Sequence, residues 1–373
     1  MYIASARQAP VTGSAGRIAA NVLALGSVSL VTDISSEMVT AVLPLYLVLG
    51  LGFSPLQFGL LDGLYTGVGA LVRVVGGGLA DRWQRRKLVA GFGYGLSCAA
   101  KLGLLASGGS AFGMGAVLVL DRTGKGIRTA PRDALISLSS TPSALGRSFG
   151  VHRAMDTVGA FLGPLVAFCL LWTLPGRYDT VFVVSFLFAL FGVVLLILFV
   201  RDRRGPVVSA PVSFGLLRSR PFRRLCLLAV GLGLLTLGDG FVFLLLQKRL
   251  GLDAAYVALL PLGTAGVYLL LAVPLGGLAD RVGRWRMFVA GHVALLCMYV
   301  LLFSASGVVL LVCVLVAHGV FYAATDGVLM AAAGPLVPAA SRTSGLAVLQ
   351  TAQALARMCS SLLVGAVWTW LAS

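Results

Sequence analysis

Two acidic residues, Asp33 and Glu37, lie four positions apart in the first apolar stretch of the sequence. On a helix, this spacing places both carboxyl groups on one face. Two carboxylates so close together disfavour double ionisation, so one of them is expected to hold a proton. Reversible proton binding at bilayer depth is the chemistry that a proton-coupled carrier needs. Asp33 is the leading candidate for the proton carrier, and simple hydration near the outer surface is the alternative for Glu37.

Two cationic residues in the fourth apolar stretch, Arg122 and Lys125, complement these acids. Helical rise places Arg122 roughly 18 Å into the stretch, near the bilayer midplane. A charge there costs at least about 2.5–3.5 kcal/mol on insertion scales, so it requires an anion. Asp33, Asp62 or a bound substrate is expected to supply that anion. Competition between substrate and proton for these charges would couple their movements, so Arg122 is the leading candidate for a proton-coupling residue, and a static ion pair is the alternative.

Other ionisable residues are candidates for the lining of a cavity or for surface positions. Arg128 and Arg132 lie nearer the surface, where snorkelling accounts for them. The second half of the chain has fewer charges, and Asp239 and Asp326 are its substrate-cavity candidates, alongside Asp62 and Lys125 in the first half. Asp326 occupies the position in its half that Lys125 occupies in the other, which suggests a central site between them.

Composition identifies the elements that position these groups. Hydrophobic residues make up 58% of the 373 residues, charged residues 11%, and the mean hydropathy is +0.97. This excludes a water-soluble globule, in which about a quarter of residues are charged. The net charge of +16 would suggest nucleic-acid binding in a soluble protein. Here Lys and Arg cluster in short loops between apolar runs, so no nucleic-acid partner is expected.

Apolar windows of about 20 residues, the length that spans a bilayer, predict an all-α polytopic protein. Their approximate bounds are 18–49, 55–80, 87–107, 110–130, 143–173, 179–200, 222–247, 254–279, 286–305, 307–334 and 345–371. The basic loops alternate with loops poor in Lys and Arg, which predicts a cytoplasmic N-terminus and a location in the inner (plasma) membrane. Residues 1–17 are predicted to be a cytoplasmic tail. The polar segment 201–221 is predicted to link an N-terminal bundle, 18–200, to a C-terminal one, 222–373, that is one helix short of symmetry.

A ten-residue pattern recurs in the two halves, after the second span of each. It contains Asp81, Arg82, Arg85 and Arg86 in the first copy, and Asp280, Arg281 and Arg284 in the second. The pattern G-x-L-A-D-R-x-G-R-R/K resembles the signature loop of the major facilitator superfamily, although Gln84 replaces its Gly in the first copy. The resemblance implies two pseudo-symmetric helical bundles, normally of twelve spans, and a gating role for these seven residues.

Two further stretches resemble motifs of that family. Gly150, Gly159, Gly163 and Pro164 in the fifth span resemble its antiporter motif, and ordinary small-residue packing is the alternative. The residues around Arg122 resemble a motif of its proton-driven exporters, with Lys125 replacing Gln. The resemblance therefore implies proton-coupled efflux antiport. The alternative is a symporter or uniporter that imports a small organic anion.

The sequence predicts a transporter rather than an enzyme. It contains no nucleotide-binding loop, and its His and Cys residues lack metal-ligand spacing, so no metal or cofactor is expected. The expected partners are a small-molecule substrate, protons and the lipid bilayer, and one chain suffices for a complete pathway. Cavity-lining residues follow no code that would identify the substrate.

Overall fold

The computed structural model describes residues 18–83, 85–141, 144–203, 214–304, 306–337 and 342–372, without the side chains of 73–83, 214, 342–344 and 372. The described residues form α-helices with short 3₁₀ and π turns. The helices are α1 (Ala20–Leu45), α2 (Pro55–Trp83), α3 (Arg86–Ala106), α4 (Ala111–Ser139), α5 (Leu145–Thr173), α6 (Tyr178–Phe199), α7 (Arg220–Leu234), α8 (Asp239–Leu250), α9 (Ala254–Val257), α10 (Leu260–Val282), α11 (Arg284–Ser304), α12 (Gly307–Ala333) and α13 (Arg342–Ala372). A π-helical turn, Tyr46–Gly50, extends α1, and 3₁₀ turns occupy Phe214–Arg218 and Gly334–Leu336.

Each predicted apolar window corresponds to one helix or to one broken helix. Among the described residues, nine segments are long and apolar enough to cross a membrane, counting α7–α8 and α9–α10 as one segment each. Helices α2 and α4 are not among these nine, but each has 29 residues, more than the about 20 that a span requires. The predicted all-α polytopic fold is therefore confirmed.

The backbone groups at the break between α7 and α8 form hydrogen bonds with a side chain of another helix. The backbone N–H of Leu237 donates to the hydroxyl of Tyr299 on α11 at 2.8 Å, and that hydroxyl donates to the Leu235 carbonyl at 3.0 Å. At bilayer depth, unpaired backbone groups are costly, so such a break requires internal partners. The break places Asp239 at the first turn of α8.

Close helix packing within the first bundle depends on glycines of α5. A Cβ atom at Gly159 would collide with the Leu30 carbonyl of α1, and one at Gly163 would collide with the Ile34 carbonyl. The glycine backbone of α5 therefore contacts the backbone of α1 directly, as small residues permit in membranes. This packing fixes the height of Asp33 and Glu37 relative to α5.

The two bundles contact one another near the end where α1 turns into α2. We call this the closed end, defined by Leu56, Phe168, Tyr256 and Thr369. The Leu56 N–H donates to the Thr369 hydroxyl at 2.9 Å, and the Tyr256 ring lies 5.8 Å from that of Phe168. Alternation of the helices places the α2–α3, α6–α7 and α10–α11 connections at the opposite end, which we call the basic end.

Candidate functional site

Both acidic residues of α1 face cationic residues of α4. The Glu37 Oε1 atom lies 4.0 Å from the Lys125 Nζ atom, and the Asp33 Oδ1 atom lies 3.9 Å from an Arg128 guanidinium nitrogen. The predicted shared face of Asp33 and Glu37 therefore points at one partner helix. Asp33 and Glu37 are four residues apart on α1, and Lys125 and Arg128 are three residues apart on α4. Each acid therefore lies opposite one cation.

These two pairs are loose and partly accessible. The Glu37 and Lys125 side chains are 30% and 36% exposed, and Asp33 is 19% exposed. A separation near 4 Å is longer than that of a charge-assisted hydrogen bond, about 2.7–2.9 Å. Protons, water or a ligand can therefore reach Asp33, Glu37 and Lys125 without first breaking a short hydrogen bond, whereas Arg128 is buried.

A second ion-pair cluster lies deeper, between α3 and α4. Asp121 Oδ1 accepts from Lys101 Nζ at 2.7 Å, and Asp121 Oδ2 accepts from Arg122 at 2.6 and 3.1 Å. Lys101, Asp121 and Arg122 are 2%, 5% and 8% exposed. We call these three residues the buried triad. The sequence predicted Asp33 or Asp62 as the anion that pairs with Arg122. That prediction is wrong, because the carboxylate of the adjacent Asp121 binds the Arg122 guanidinium.

Arg122 is held on its other face by an aromatic ring. Its guanidinium carbon lies 3.8 Å from the centre of the Tyr65 ring, and the Tyr65 hydroxyl is 2.7 Å from that of Thr40 on α1. Burial and π contact together fix the position of this cation. Sequence reasoning did not identify Asp121, and the only signal was its position directly before Arg122.

The prediction that Arg128 snorkels to the surface is wrong. The residue is 3% exposed, and its guanidinium lies 4.4 Å from the centre of the Tyr94 ring. Arg132 pairs with Asp133 at 3.0 Å and also donates to the Ser29 hydroxyl at 3.4 Å. The Tyr94 ring of α3 is thus the partner of Arg128, which the sequence predicted to extend to the surface.

Asp62 lies at the contact between the bundles. Its Oδ2 atom accepts a hydrogen bond from the Ser361 hydroxyl of α13 at 2.6 Å. The Cα of Gly238 approaches the same carboxylate so closely that a Cβ there would collide with it. Asp62 therefore links α2 of the first bundle to α13 of the second.

The second bundle contains a polar group around Asp239. The Asp239 carboxylate accepts from the Tyr322 hydroxyl at 2.5 Å, and its Oδ1 lies 3.4 Å from His318 Nε2. The Arg357 guanidinium lies 5.7 Å from the centre of the Tyr322 ring. Asp326 is exposed on α12, one turn after Tyr322, and its pairing with the α4 cations stays a prediction.

The second copy of the repeated loop is built around one ion pair. Asp280 accepts from Arg284 at 2.8 and 2.9 Å, and Arg284 also donates to the Ala331 carbonyl of α12 at 2.8 Å. Arg281 is exposed. These contacts tie the start of α11 to α12, and the gating role stays a prediction.

In the first copy, Arg85 is exposed and Arg86 is buried, with its guanidinium donating to the Arg203 carbonyl at 3.2 Å. The side chains of Asp81 and Arg82 lie outside the described residues. Within the described part of the chain, no three His, Cys, Asp or Glu side chains converge closely enough to hold a metal ion.

The glycine motif of α5 divides into positions that need a glycine and one that does not. Gly159 and Gly163 contact the α1 backbone, whereas a Cβ at Gly150 would meet open space. Pro164 lies inside α5, directly after Gly163. Close packing therefore explains two of the three glycines, and the antiporter interpretation stays a prediction.

Comparisons with known proteins agree with this architecture. The sequence model of the Major Facilitator Superfamily matches residues 25–370. An uncharacterized MFS-type transporter of Methanocaldococcus jannaschii is 38% identical over 190 residues, which are 50% of this chain and 46% of that protein. An uncharacterized protein of Mycobacterium tuberculosis is 38% identical over 111 residues, or 29% of this chain and 27% of that protein. The chain thus matches less than half the length of these curated relatives.

Solved transporters share the fold at low identity. The nucleoside transporter NupG has a TM-score of 0.76 and 15% identity, with 93% of this chain and 90% of that chain covered. A bacterial homologue of the lysosomal transporter Spinster, inward-facing and unoccupied, has a TM-score of 0.69 and 18% identity, with 92% and 80% covered. These likenesses concern the fold alone. Together with the match along nearly the whole sequence, they show that the chain is a multi-pass membrane protein that belongs to the major facilitator superfamily of transporters.

Proposed function

We propose that this transporter moves a small solute by alternating access and couples the movement to protons, by efflux antiport. The observation that carries the proposal is the pair of loose contacts between α1 and α4, Glu37 with Lys125 and Asp33 with Arg128. A carrier needs charges that can change partners during its cycle. These four side chains meet at distances that permit such exchange.

A proton and a cargo group would compete for the same contacts. Deprotonated Glu37 carries a negative charge that a cationic cargo group would contact in place of Lys125. Protonation of Glu37 removes that charge and releases the cargo, so proton and cargo bind in alternation. We assign Arg122 a positioning role in this cycle, because Asp121 and Tyr65 hold its guanidinium in place.

Two features support movement of the proton-binding helix and the orientation of the chain in the membrane. Gly159 and Gly163 let α5 lie directly against the segment of α1 that bears Asp33 and Glu37, so that movement of α5 would displace the proton-binding helix. We further propose that the basic end faces the cytoplasm of a plasma membrane, since exposed Arg85, Arg201 and Arg203 lie there. The closed end would then face outward. The division into bundles 18–200 and 222–373, joined by 201–221, belongs to the same proposal.

Vesicle transport with a pH gradient of each sign tests the proposal. Proteoliposomes would receive a panel of probes: a cationic dye, nucleosides, dipeptides and small organic acids, the middle two because structurally similar transporters are named for them. Antiport accumulates a probe on the acidic side, and symport accumulates it on the alkaline side. A transported organic acid that accumulates on the alkaline side would replace the antiport proposal with anion import.

Variants separate coupling from folding. Glu37→Gln and Asp33→Asn are expected to retain folding and to lose gradient-driven accumulation. Asp179→Asn, which removes an exposed carboxylate paired with Arg177 at 3.0 Å, is the matched control and is expected to retain accumulation. Unchanged gradient-driven transport in both α1 variants would contradict proton coupling at these residues.

A further inference from the structure

A groove on the first bundle lies away from the contacts between the bundles and has no role in the transport proposal. It runs between the start of α3 and the end of α6, at the basic end, with a volume of about 390 Å³. Its apolar lining includes Leu88 and Ile197, which are 55% and 61% exposed.

Glycine gives the groove its depth. Gly91 lines it one turn after Leu88, and a Cβ at Gly91 would lie 3.3 Å from a methyl carbon of Leu196, which also lines it. A larger side chain at this position would occupy the space between the two helices. The groove therefore has the shape to accept an acyl chain lying along α3 and α6.

The rim of the groove is cationic. Arg85 and Lys87 line it, and exposed Arg201 and Arg203 lie in the segment that follows α6. Among the described residues that line the groove, Asp202 is the one acid, and it accepts hydrogen bonds from the backbone N–H groups of Lys87 at 3.2 Å and Arg203 at 3.0 Å. Its charge is thus directed at the positive N-terminus of α3, and the rim retains an excess of positive charge.

Protein contacts fix this rim in position. The Lys87 ammonium donates to the Ile197 carbonyl at 2.8 Å, which leaves it two further donors. The neighbouring Arg86 donates to the Arg203 carbonyl at 3.2 Å. The start of α3 is therefore tied to the end of α6 at two points, and the cations lie at the ends of two helices that are long and apolar enough to span a membrane.

We propose that this groove binds an anionic phospholipid. The phosphate of the headgroup would contact Arg85 and Lys87, and one acyl chain would lie over Leu88 and Ile197. Basic pockets between helices at a membrane surface select acidic headgroups, whereas a zwitterionic lipid gains little from the same cations. The site does not depend on proton coupling or on the identity of the cargo.

Native mass spectrometry of the full-length, delipidated protein tests the proposal. The protein would be titrated with phosphatidylglycerol or phosphatidylcholine of the same acyl chains, and separately with glycerol phosphate. We expect tighter binding of phosphatidylglycerol. Arg85→Gln with Lys87→Gln should weaken it by about 25-fold at low salt, from roughly tenfold per 1.4 kcal/mol and about 1 kcal/mol per cation.

Two further variants make the result specific. Gly91→Leu fills the groove and should weaken both lipids without removing a charge. Arg223→Gln with Arg224→Gln removes two exposed cations from the same end of the second bundle and should leave phosphatidylglycerol binding within twofold. Equal binding of the two lipids, equal losses in the two double variants, or effective competition by glycerol phosphate would each overturn the proposal.

Discussion

Replacement of Asp121 by Asn tests whether the buried triad holds the first bundle together. The Asp121 carboxylate accepts three hydrogen bonds, from Lys101 at 2.7 Å and from Arg122 at 2.6 and 3.1 Å. Asn keeps the size of the side chain but removes its charge. Two cations that are at most 8% exposed would then lack a counter-charge.

The expected loss of unfolding free energy is about 3–5 kcal/mol, the usual cost of removing one partner from a buried ion pair. Lys125→Gln provides the contrast. Lys125 lies 4.0 Å from Glu37 and is 36% exposed, so its loss should cost no more than about 1 kcal/mol, as for exposed pairs. The two substitutions each remove one charge from α4, but the loss of unfolding free energy is expected to be larger by at least about 2 kcal/mol for Asp121→Asn.

Unfolding in mixed micelles titrated with a denaturing detergent measures both values. Adding Lys101→Met to Asp121→Asn should recover part of the loss, because only one buried cation would remain unpaired. A loss below about 1 kcal/mol for Asp121→Asn would refute the reasoning, as would a double variant as unstable as the sum of the single ones.

Three other outcomes are expected from the same titration. Gly163→Ala should lower the unfolding free energy by about 1–3 kcal/mol, because the added methyl group meets the α1 backbone. Gly150→Ala should change the unfolding free energy by no more than about 0.5 kcal/mol, because its methyl group enters open space. Equal effects of the two variants would contradict the packing argument. Ser361→Ala should cost about 1.5–3 kcal/mol, since it removes the hydrogen bond to the Asp62 carboxylate, and a neutral result would indicate that this bond does not join the bundles. Tyr65→Phe should cost about 1 kcal/mol for its hydroxyl contact and leave the Arg122 stacking intact, whereas a loss as large as that of Tyr65→Ala would contradict this division.

Local spacing predicted the fold and part of the site. Each helix could be predicted from the length and hydropathy of an apolar window. Asp33 and Glu37 share a face because four residues are close to one helical turn. The shared face did not identify Lys125 and Arg128 as partners. That assignment needs the relative height of α1 and α4, which depends on three-dimensional packing.

Partners that depend on side-chain reach could not be predicted. Adjacent residues on a helix point in different directions, so Asp121 was not expected to serve Arg122, yet a flexible Arg side chain can turn back to its neighbour. Arg128 was predicted to snorkel to the surface, because no sequence pattern shows that Tyr94 lies opposite it on α3. The Asp239 contact with His318 joins residues on α8 and α12 that no motif connects.

Distance divides the charges of the first bundle into two groups with different expected roles. In the buried triad the contacts are 2.6–2.7 Å, so changing partners would strand a charge in an environment with almost no water. At 4.0 Å and an effective dielectric constant near 20, the attraction between Glu37 and Lys125 is about 4 kcal/mol before desolvation is counted. A proton or a cargo group can supply free energy of that size, because a ligand bound in the micromolar range contributes about 8 kcal/mol. The loose pairs are therefore the ones that a transport cycle can rearrange, and the buried triad is the fixed frame on α4 against which they would move.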